Sequence, residues 1–322
     1  MTRVGVTGAT GFIGGALLPH LARLGYDLIP VDDGSGPVRV EFAEWPVRAR
    51  DFASDAGIRI LADCDVVLHL GAVSGVMACA EDPVGTARVN VEGTRRLLTA
   101  CGERHVAVAF ASSLAVVGAP EHLPVTEETP ARPTHEYARQ KSQGEELTRE
   151  LGRSARSPTA TLRMSNVYGG YFASGRRVAK GNVLELFSQQ AAQGRLTVNA
   201  PGTQRRDFVH IEDVIAHWEA TVRFLRGRSP SDGSVTFNVA TGESFSVLEI
   251  ARKVADRWGA LHPSGAPVRV EVVPNPRAGV ELIEPEFAVS RSATERALGL
   301  PCRHTVDGTI DGLLAPPARA TA

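Results

Sequence analysis

Tyr137 and Lys141 lie four residues apart in the stretch HEYARQKSQ, residues 135–143, of a chain that uses both types sparingly. Its tyrosines are Tyr26, Tyr137, Tyr168 and Tyr171, and its lysines are Lys141, Lys180 and Lys253. Scattered at random over this length, so few residues would meet at that spacing about 0.04 times. The other positive charges are arginines, which stay protonated, so a retained lysine marks a place where a compact, tunable ammonium is wanted. Residues four apart share one face of a helix, which lets the ammonium stand beside the phenol. Ionising a phenol at pH 7 costs about 4 kcal/mol. One ammonium about 4 Å away supplies roughly that at an effective dielectric of about 20. The chemistry open to this pair is removal of a proton from a hydroxyl near neutral pH. Taken alone, Tyr137 would equally serve as a half-buried packing residue.

The opening stretch VTGATGFIGG sets Gly8, Gly11 and Gly14 between an apolar run and a helical pattern. Glycines there let the backbone turn tightly and approach a pyrophosphate, whose charge is favoured by the free N–H groups and dipole of a helix N-terminus. The spacing is G-x-x-G-x-x-G rather than G-x-G-x-x-G, and by itself it also suits close helix–strand packing. Its context says more, because Asp32 and Asp33 follow at the end of the second β-rich run. A carboxylate there accepts hydrogen bonds from adenosine ribose hydroxyls and repels a 2′-phosphate, which predicts NAD rather than NADP. Asp32-Asp33-Gly34 is also a turn-forming sequence in its own right.

Bringing two such constellations together calls for a sheet whose strand ends gather distant segments. Short β-rich runs alternate with helical patterns from residue 3: RVGVT, a helix over 12–24, LIPVD, a helix near 54–62, DVVLHL, a helix over 85–102, VAVAFAS, a helix over 135–152 and TATLRM. This is the grammar of an α/β fold with a Rossmann-type, doubly wound parallel sheet. DVVLHL and VAVAFAS are nearly continuous apolar runs, as central strands buried on both sides require. After about residue 165 the alternation weakens. YGGYFASGRRVAKGN reads as a loop that either covers a ligand or lies on the surface. RGRSPSDGS reads as an exposed connection and APPARATA as a frayed tail.

With 322 residues, 43% apolar and 22% charged, the chain can build one large or two coupled soluble domains. A formal charge of -1 offers no basis for binding nucleic acid or an acidic membrane, so a small molecule is the expected partner. Cys64, Cys79, Cys101 and Cys302 have no metal-ligand or C-x-x-C spacing and read as scattered thiols of a reducing compartment, with no metal site expected. The N-terminus enters a strand pattern at once, without the basic and apolar regions of a leader peptide. VAVAFASSLAVV, the longest apolar run, contains two serines and is too short to span a membrane. A cytoplasmic location is the resulting expectation.

Taken together, the glycine turn, the acids and Tyr137-x-x-x-Lys141 resemble the extended short-chain dehydrogenase/reductase family, in its NAD-dependent nucleotide-sugar epimerase and dehydratase branch. The resemblance covers nearly the whole chain. DVVLHLGAVSG is similar to that family's fourth strand and cofactor loop, NVEGTRRLL to its Asn-bearing helix, and ASSLAVVG to the strand end that supplies a catalytic Ser or Thr. LRMSNVYGG and RRDFVHIEDV are similar to the segments that frame a sugar nucleotide. The resemblance implies an NAD-binding Rossmann domain over 1–165, to which 211–240 returns, and a smaller C-terminal α/β region over 166–322 that mainly binds substrate.

Carried over residue by residue, it places Gly8, Gly11, Phe12, Ile13 and Gly14 at the cofactor turn and Asp32 and Asp33 at the ribose. Asp51 and Phe52 fall near the adenine, and Leu70, Gly71, Ala72 and Met164 along the cofactor. Asn90 is expected beside the active-site helix that supplies Tyr137 and Lys141. Ser113, five residues before Gly118, takes the catalytic serine position, with Ser112 as the fallback. Asn166, Asn182, Val183, Arg206 and Arg277 are implied in substrate binding. The two arginines would take a diphosphate, which bidentate guanidinium groups suit; each could otherwise be a surface charge.

Within that branch the reactions differ in the step after oxidation of the sugar. Dehydratases of the family place an Asp-Glu pair directly after the catalytic Thr, and decarboxylases a Glu two positions after it. Leu114 and Ala115 stand there in this chain and cannot transfer protons. The expected activity is therefore that of an NAD-dependent 4-epimerase acting on a UDP- or dTDP-linked sugar through a transient 4-keto intermediate. An NAD-dependent dehydrogenase or ketoreductase of a nucleotide sugar or sugar acid would use the same trio of Ser113, Tyr137 and Lys141. Dehydration, decarboxylation and a non-catalytic dinucleotide sensor fit less well. Val117, His135-Glu136 and Gly71 depart from the family's usual Tyr, Ser/Asn-Pro and Ala, which leaves deoxy-, amino- and uronic-acid sugars as open as glucose. The resemblance also suggests a homodimer through the helices at 85–102 and 135–152.

Overall fold

The structure is a computed structural model that describes residues 1–36, 48–49, 51–173, 175–276 and 286–315. Arg277 lies outside the described residues. The chain begins with β1 (Arg3–Thr7), α1 (Phe12–Arg23), β2 (Asp27–Asp32), β3 (Arg48–Ala49), α2 (Asp55–Leu61) and β4 (Val66–His69). Two short helices follow, α3 (Val76–Glu81) and α4 (Pro83–Ala87), then a π-helical turn at Arg88–Gly93 that runs into α5 (Thr94–Glu103). β5 (Ala107–Ser113), α6 (Glu136–Arg153) and β6 (Thr159–Met164) complete the alternating part.

Seven parallel strands form the main sheet in the order β12-β6-β5-β4-β1-β2-β3, where β12 is Ser234–Val239. The apolar runs explain the burial: every residue of β4 and β6 is buried, and in β5 only Ser113 is not. From one face α1 packs Leu17, Leu18 and Leu21 on the sheet. From the other, α2, α5 and α6 pack Leu61, Leu97, Leu98 and Leu151 around Val67 and Val108. The chain runs outward from β1 through β2 and β3, then resumes on the other side at β4. The carboxyl ends of β1 and β4 therefore flank the crevice where the strand order reverses, the usual ligand site of such sheets.

The remaining elements are β7 (Asn166–Tyr168), β8 (Gly170–Ala173), β9 (Arg176–Ala179), α7 (Val183–Ala191), β10 (Arg195–Asn199), β11 (Arg205–His210) and α8 (Ile211–Arg226). After β12 come β13 (Ser244–Ser246), α9 (Val247–Leu261), β14 (Arg269–Val273), α10 (Ser292–Leu298) and α11 (Val306–Leu314). α8 lays Val214, Trp218, Val222 and Leu225 on the main sheet beside α1. α7, α9 and α11 instead enclose a second core around Phe187, Leu196, Phe208, Ile250 and Ile310.

Two elements differ from the sequence pattern. The helix expected over 85–102 is interrupted by the π-helical turn, which leaves the apolar face continuous on either side and so does not alter the hydrophobic period. YGGYFASGRRVAKGN forms the antiparallel β8–β9 hairpin, with Tyr171 against Phe12 at 5.7 Å between ring centroids.

Candidate active site

The glycine turn is built by close approach of backbones. Gly8 has φ +67°, and a Cβ there would lie 2.8 Å from Gly71 N; a Cβ on Gly14 would collide with Gly8 O. α1 starts at Gly11 without a side-chain cap, so its first N–H groups face outward beside the turn. Phe12 and Ile13 sit half-buried against the main core behind it. Asp32 is buried and holds the turn to β2: Thr10 N and Oγ1 donate to it at 3.0 and 2.5 Å, and Gly34 N at 2.7 Å. An ionised carboxylate has about four acceptor sites, so these three bonds leave it capacity for a ligand hydroxyl. Asp33 is exposed, and its hydrogen bonds from Ser35 hold its carboxyl below the usual range. The uncapped helix start and the side-chain-free turn fit an anionic dinucleotide.

Along the crevice, Asp51 is exposed and accepts Ala53 N–H at 2.8 Å. Phe52 is a core residue, edge-on to His69 with ring centroids 4.8 Å apart. Leu70, Gly71 and Ala72 form the half-buried loop after β4. Gly71 N donates to Thr7 Oγ1 at 2.8 Å, and Thr7 Oγ1 lies 2.8 Å from His69 Nδ1. His69 Nε2 lies 2.9 Å from Thr94 Oγ1, which donates to Asn90 O at 2.8 Å. Burial pushes the His69 imidazole down to about 3, so it stays neutral and works as a fixed link. Asn90, on the π-helical turn, accepts from Val73 N at 2.8 Å and donates to Val73 O at 2.9 Å and to Gln140 Oε1 at 2.7 Å.

The pleat separates the two candidate serines. Ser112 points away from the crevice and donates to Glu145 at 2.6 Å, inside a buried ion pair in which Arg163 meets Glu145 through two nitrogens at 2.9 and 2.8 Å. Ser113 faces α6. Its Oγ accepts Ala115 N–H at 3.2 Å and hydrogen-bonds Tyr137. Burial pushes the Tyr137 phenol up to about 12, and the Ser113 hydrogen bond acts against that shift. Lys141 is brought down to about 8 by burial, opposed by Cys79 and Glu145. Its Nζ donates to Ala111 O at 2.8 Å and lies 5.1 Å from the Phe110 ring centroid. In this structure Ser113, not Lys141, is the group that lowers Tyr137. α6 reaches this depth because Gly144 lies on Phe110, whose ring any Cβ there would strike. His135 caps α6 by accepting Ala138 N–H at 3.2 Å. Its ring is parallel to that of Tyr137, with centroids 6.1 Å apart. Met164, buried, ends β6 beside Ser113.

On the substrate side, Asn166 of β7 is exposed and donates to Asp207 O at 3.0 Å. Asn182 caps α7 through Oδ1, while its Nδ2 is buried without a partner in the protein. Val183 packs half-buried on the second core. Arg206 of β11 is half-buried and donates to Arg205 O at 2.7 Å; its neighbour Arg205 is held by Glu249 at 2.9 Å.

Among the described residues, one group of metal-ligand type comes together, His210, Glu212 and His304, with ligand atoms within 4.8 Å of one another. His210 Nδ1 accepts Glu212 N–H as the cap of α8, and His304 is shared by Glu212 and Asp213 at 3.1 and 3.2 Å. Glu212 thus meets His210 through its backbone N–H and His304 through its carboxylate.

The trio, Asn90 and the glycine turn meet at the carboxyl ends of β1, β4 and β5. No sequence pattern marks Thr7, Thr10, His69, Thr94 or Gln140, because each is an ordinary polar residue whose partner lies far along the chain.

A model described as the NAD dependent epimerase/dehydratase family matches residues 4–240. The UDP-glucose 4-epimerase of Mycolicibacterium smegmatis is 32% identical over 272 residues, which span 79% of this chain and 82% of that protein. A solved UDP-glucose-4-epimerase from Stenotrophomonas maltophila, with bound NAD and formylated UDP-arabinopyranose, superposes with a TM-score of 0.81 at 25% identity over 98% of this chain and 97% of that one. TunA, an NAD-dependent NDP-hexosamine 5,6-dehydratase of tunicamycin biosynthesis, does so with a TM-score of 0.79 at 26% identity over 98% and 97%.

Proposed function

The chain belongs to the NAD dependent epimerase/dehydratase family, and from that membership we propose that this NAD-dependent enzyme is a nucleotide-sugar 4-epimerase, redox-neutral over each cycle. One observation carries the choice within the family. Ser113 and Tyr137 are hydrogen-bonded beside Lys141, while the next two positions, Leu114 and Ala115, hold no group that moves a proton. Leu114 is buried with Val116, Val117 and Val125. β-Elimination and decarboxylation would lack a side-chain acid or base at these positions.

NAD, when bound, would supply the hydride acceptor for oxidation of the sugar carbon and the hydride donor for its re-reduction. Tyr137 would receive the proton of the C4 hydroxyl as a phenolate, a form that the Ser113 hydrogen bond and the positive charge of bound oxidised NAD would favour against burial, and would give that proton back to the oxygen of the 4-keto sugar. Ser113 orients that oxygen through its hydroxyl, and Lys141, fixed on Ala111 O, places a cation under the site. Gly8, Gly11 and Gly14 admit the diphosphate of NAD at the start of α1, with Asp32 at the ribose. Asn166, Asn182, Val183 and Arg206 hold a UDP- or dTDP-linked sugar, together with Arg277. Turning the ketone over before the hydride returns needs no further residue.

We also place the enzyme in the cytoplasm as a homodimer through α5 and α6. All four cysteines are unpaired, which suits a reducing compartment. Among the described residues no helix is long and apolar enough to cross a membrane. Absorbance of NADH, followed with NAD far below the sugar concentration, tests the redox-neutral reading. Sugar converted many times over the NAD present without accumulating NADH supports it, whereas NADH rising one for one with substrate loss and stopping when the NAD is spent identifies a net dehydrogenase.

A further inference from the structure

Gln140 lies between Tyr137 and Lys141 on α6 with 1% of its surface exposed, and its hydrogen bonds go to neither. Its Nε2 faces three acceptors: Thr86 Oγ1 at 3.0 Å, Glu136 Oε1 at 3.1 Å and Pro83 O at 3.2 Å. Turning the amide over would press its carbonyl against three oxygens, so the orientation is determined. Oε1 must then face Asn90 Nδ2, which it meets at 2.7 Å. Asn90 is equally constrained, because its Oδ1 accepts Val73 N–H and its Nδ2 donates to Val73 O. Flipping it would set an NH2 group against an N–H.

The outcome is a directed, buried chain from α6 through the π-helical turn to the loop after β4. π-Turns inside helices often occur at functional sites, and this one carries the residue that grips both polar groups of Val73. Asn90, Gln140 and Thr86 are all buried, which makes each lost partner costly.

We propose that Gln140 is a positioning residue: by locking the Asn90 carboxamide it fixes the loop at residues 70–73 relative to Tyr137 and Lys141, and so shapes the wall of the NAD crevice. This rests on the reading of that crevice as the NAD site. It assigns Gln140 no contact with cofactor or substrate.

The test uses the full chain and Gln140→Met, which keeps length and bulk but loses every hydrogen bond. Hydrogen exchange of the ligand-free protein is expected to show faster exchange at residues 70–73, with the strands of the main sheet as protected as before. NAD titration well below the lowered unfolding midpoint should show binding weakened about tenfold, the scale of one buried hydrogen bond, while UDP binding holds. Acting through Asn90, Gln140→Met should add little in an Asn90→Ala background. Should Gln140→Met fail to fold, Gln140→Asn, one methylene too short to reach Asn90, carries the same expectations. Unchanged exchange and NAD affinity would overturn the proposal. So would equal losses in NAD binding, UDP binding and stability, or effects that simply add to those of Asn90→Ala. A parent chain that binds no NAD would instead remove the functional reading, and the exchange data would still report on the lock.

Discussion

Tyr137 is buried deeply enough to resist ionisation, and Ser113 donates the hydrogen bond that opposes this. A phenol in that setting needs its proton-transfer partner held in place rather than drawn from solvent. Tyr137→Phe is expected to lower turnover by about 100- to 10,000-fold, the range of a lost general acid–base group, with an unchanged unfolding midpoint; steady-state kinetics beside a melt would show it. Lys141 makes a prediction about stability. It is held at about 8, against 10.5 when unperturbed. Below pH 8 folded and unfolded chains both keep its proton, and from there to pH 10.5 only the unfolded chain does. The Lys141 contribution to the stability of the ligand-free protein should therefore rise with pH through that window, while the buried thiols of Cys64, Cys101 and Cys302, pushed up to about 12, lower stability once pH passes 9. Tyr137, pushed up to about 12, acts in the opposite sense once pH passes 10, where only the folded chain keeps the phenolic proton. In urea unfolding between about pH 7 and 10, the stability difference between the parent and Lys141→Met should shift in the parent's favour as pH rises, since the cysteines act equally in both.

Among the elements, α6 sets the depth of the trio, and Gly144 sets the depth of α6. Gly144→Ala must move either the Phe110 ring or the helix, so it should cost about 1–3 kcal/mol in denaturant unfolding and lower turnover as well. A midpoint equal to the parent's would mean that the contact carries no strain. The strands and helices up to residue 165 were legible in the sequence because their apolar periods report burial directly. The π-helical turn was not, since Asn90 leaves the period intact while its carboxamide answers to Val73 and Gln140, distant in the chain. The β8–β9 hairpin was hidden in a glycine- and arginine-rich stretch in which the large side chain of Tyr171 packs on Phe12 and that of Phe172 is exposed. The distance to Gly118 singles out Ser113 over Ser112 in the sequence. In the structure Ser112 donates to Glu145, whereas Ser113 hydrogen-bonds Tyr137.

At the scale of the whole molecule, the proposed dinucleotide crevice belongs to the main sheet, while the proposed sugar-nucleotide residues sit on β7, α7 and β11 next to the second core. Substitutions on the two sides should therefore separate. Arg206→Ala is expected to weaken UDP binding about 10- to 100-fold, the worth of a hydrogen bond to a charged group, with NAD affinity intact in paired titrations. Loss of both affinities together would assign Arg206 to folding instead. A 4-epimerase is distinguished from its relatives by oxidising one sugar carbon and re-reducing it from the opposite face within the same site. Product NMR, after incubation with catalytic NAD and a panel of UDP- and dTDP-linked sugars including uronic acids, reads that inversion itself. At least one sugar should emerge inverted at C4 with no change in oxidation state; a product oxidised, dehydrated or decarboxylated instead would contradict the assignment.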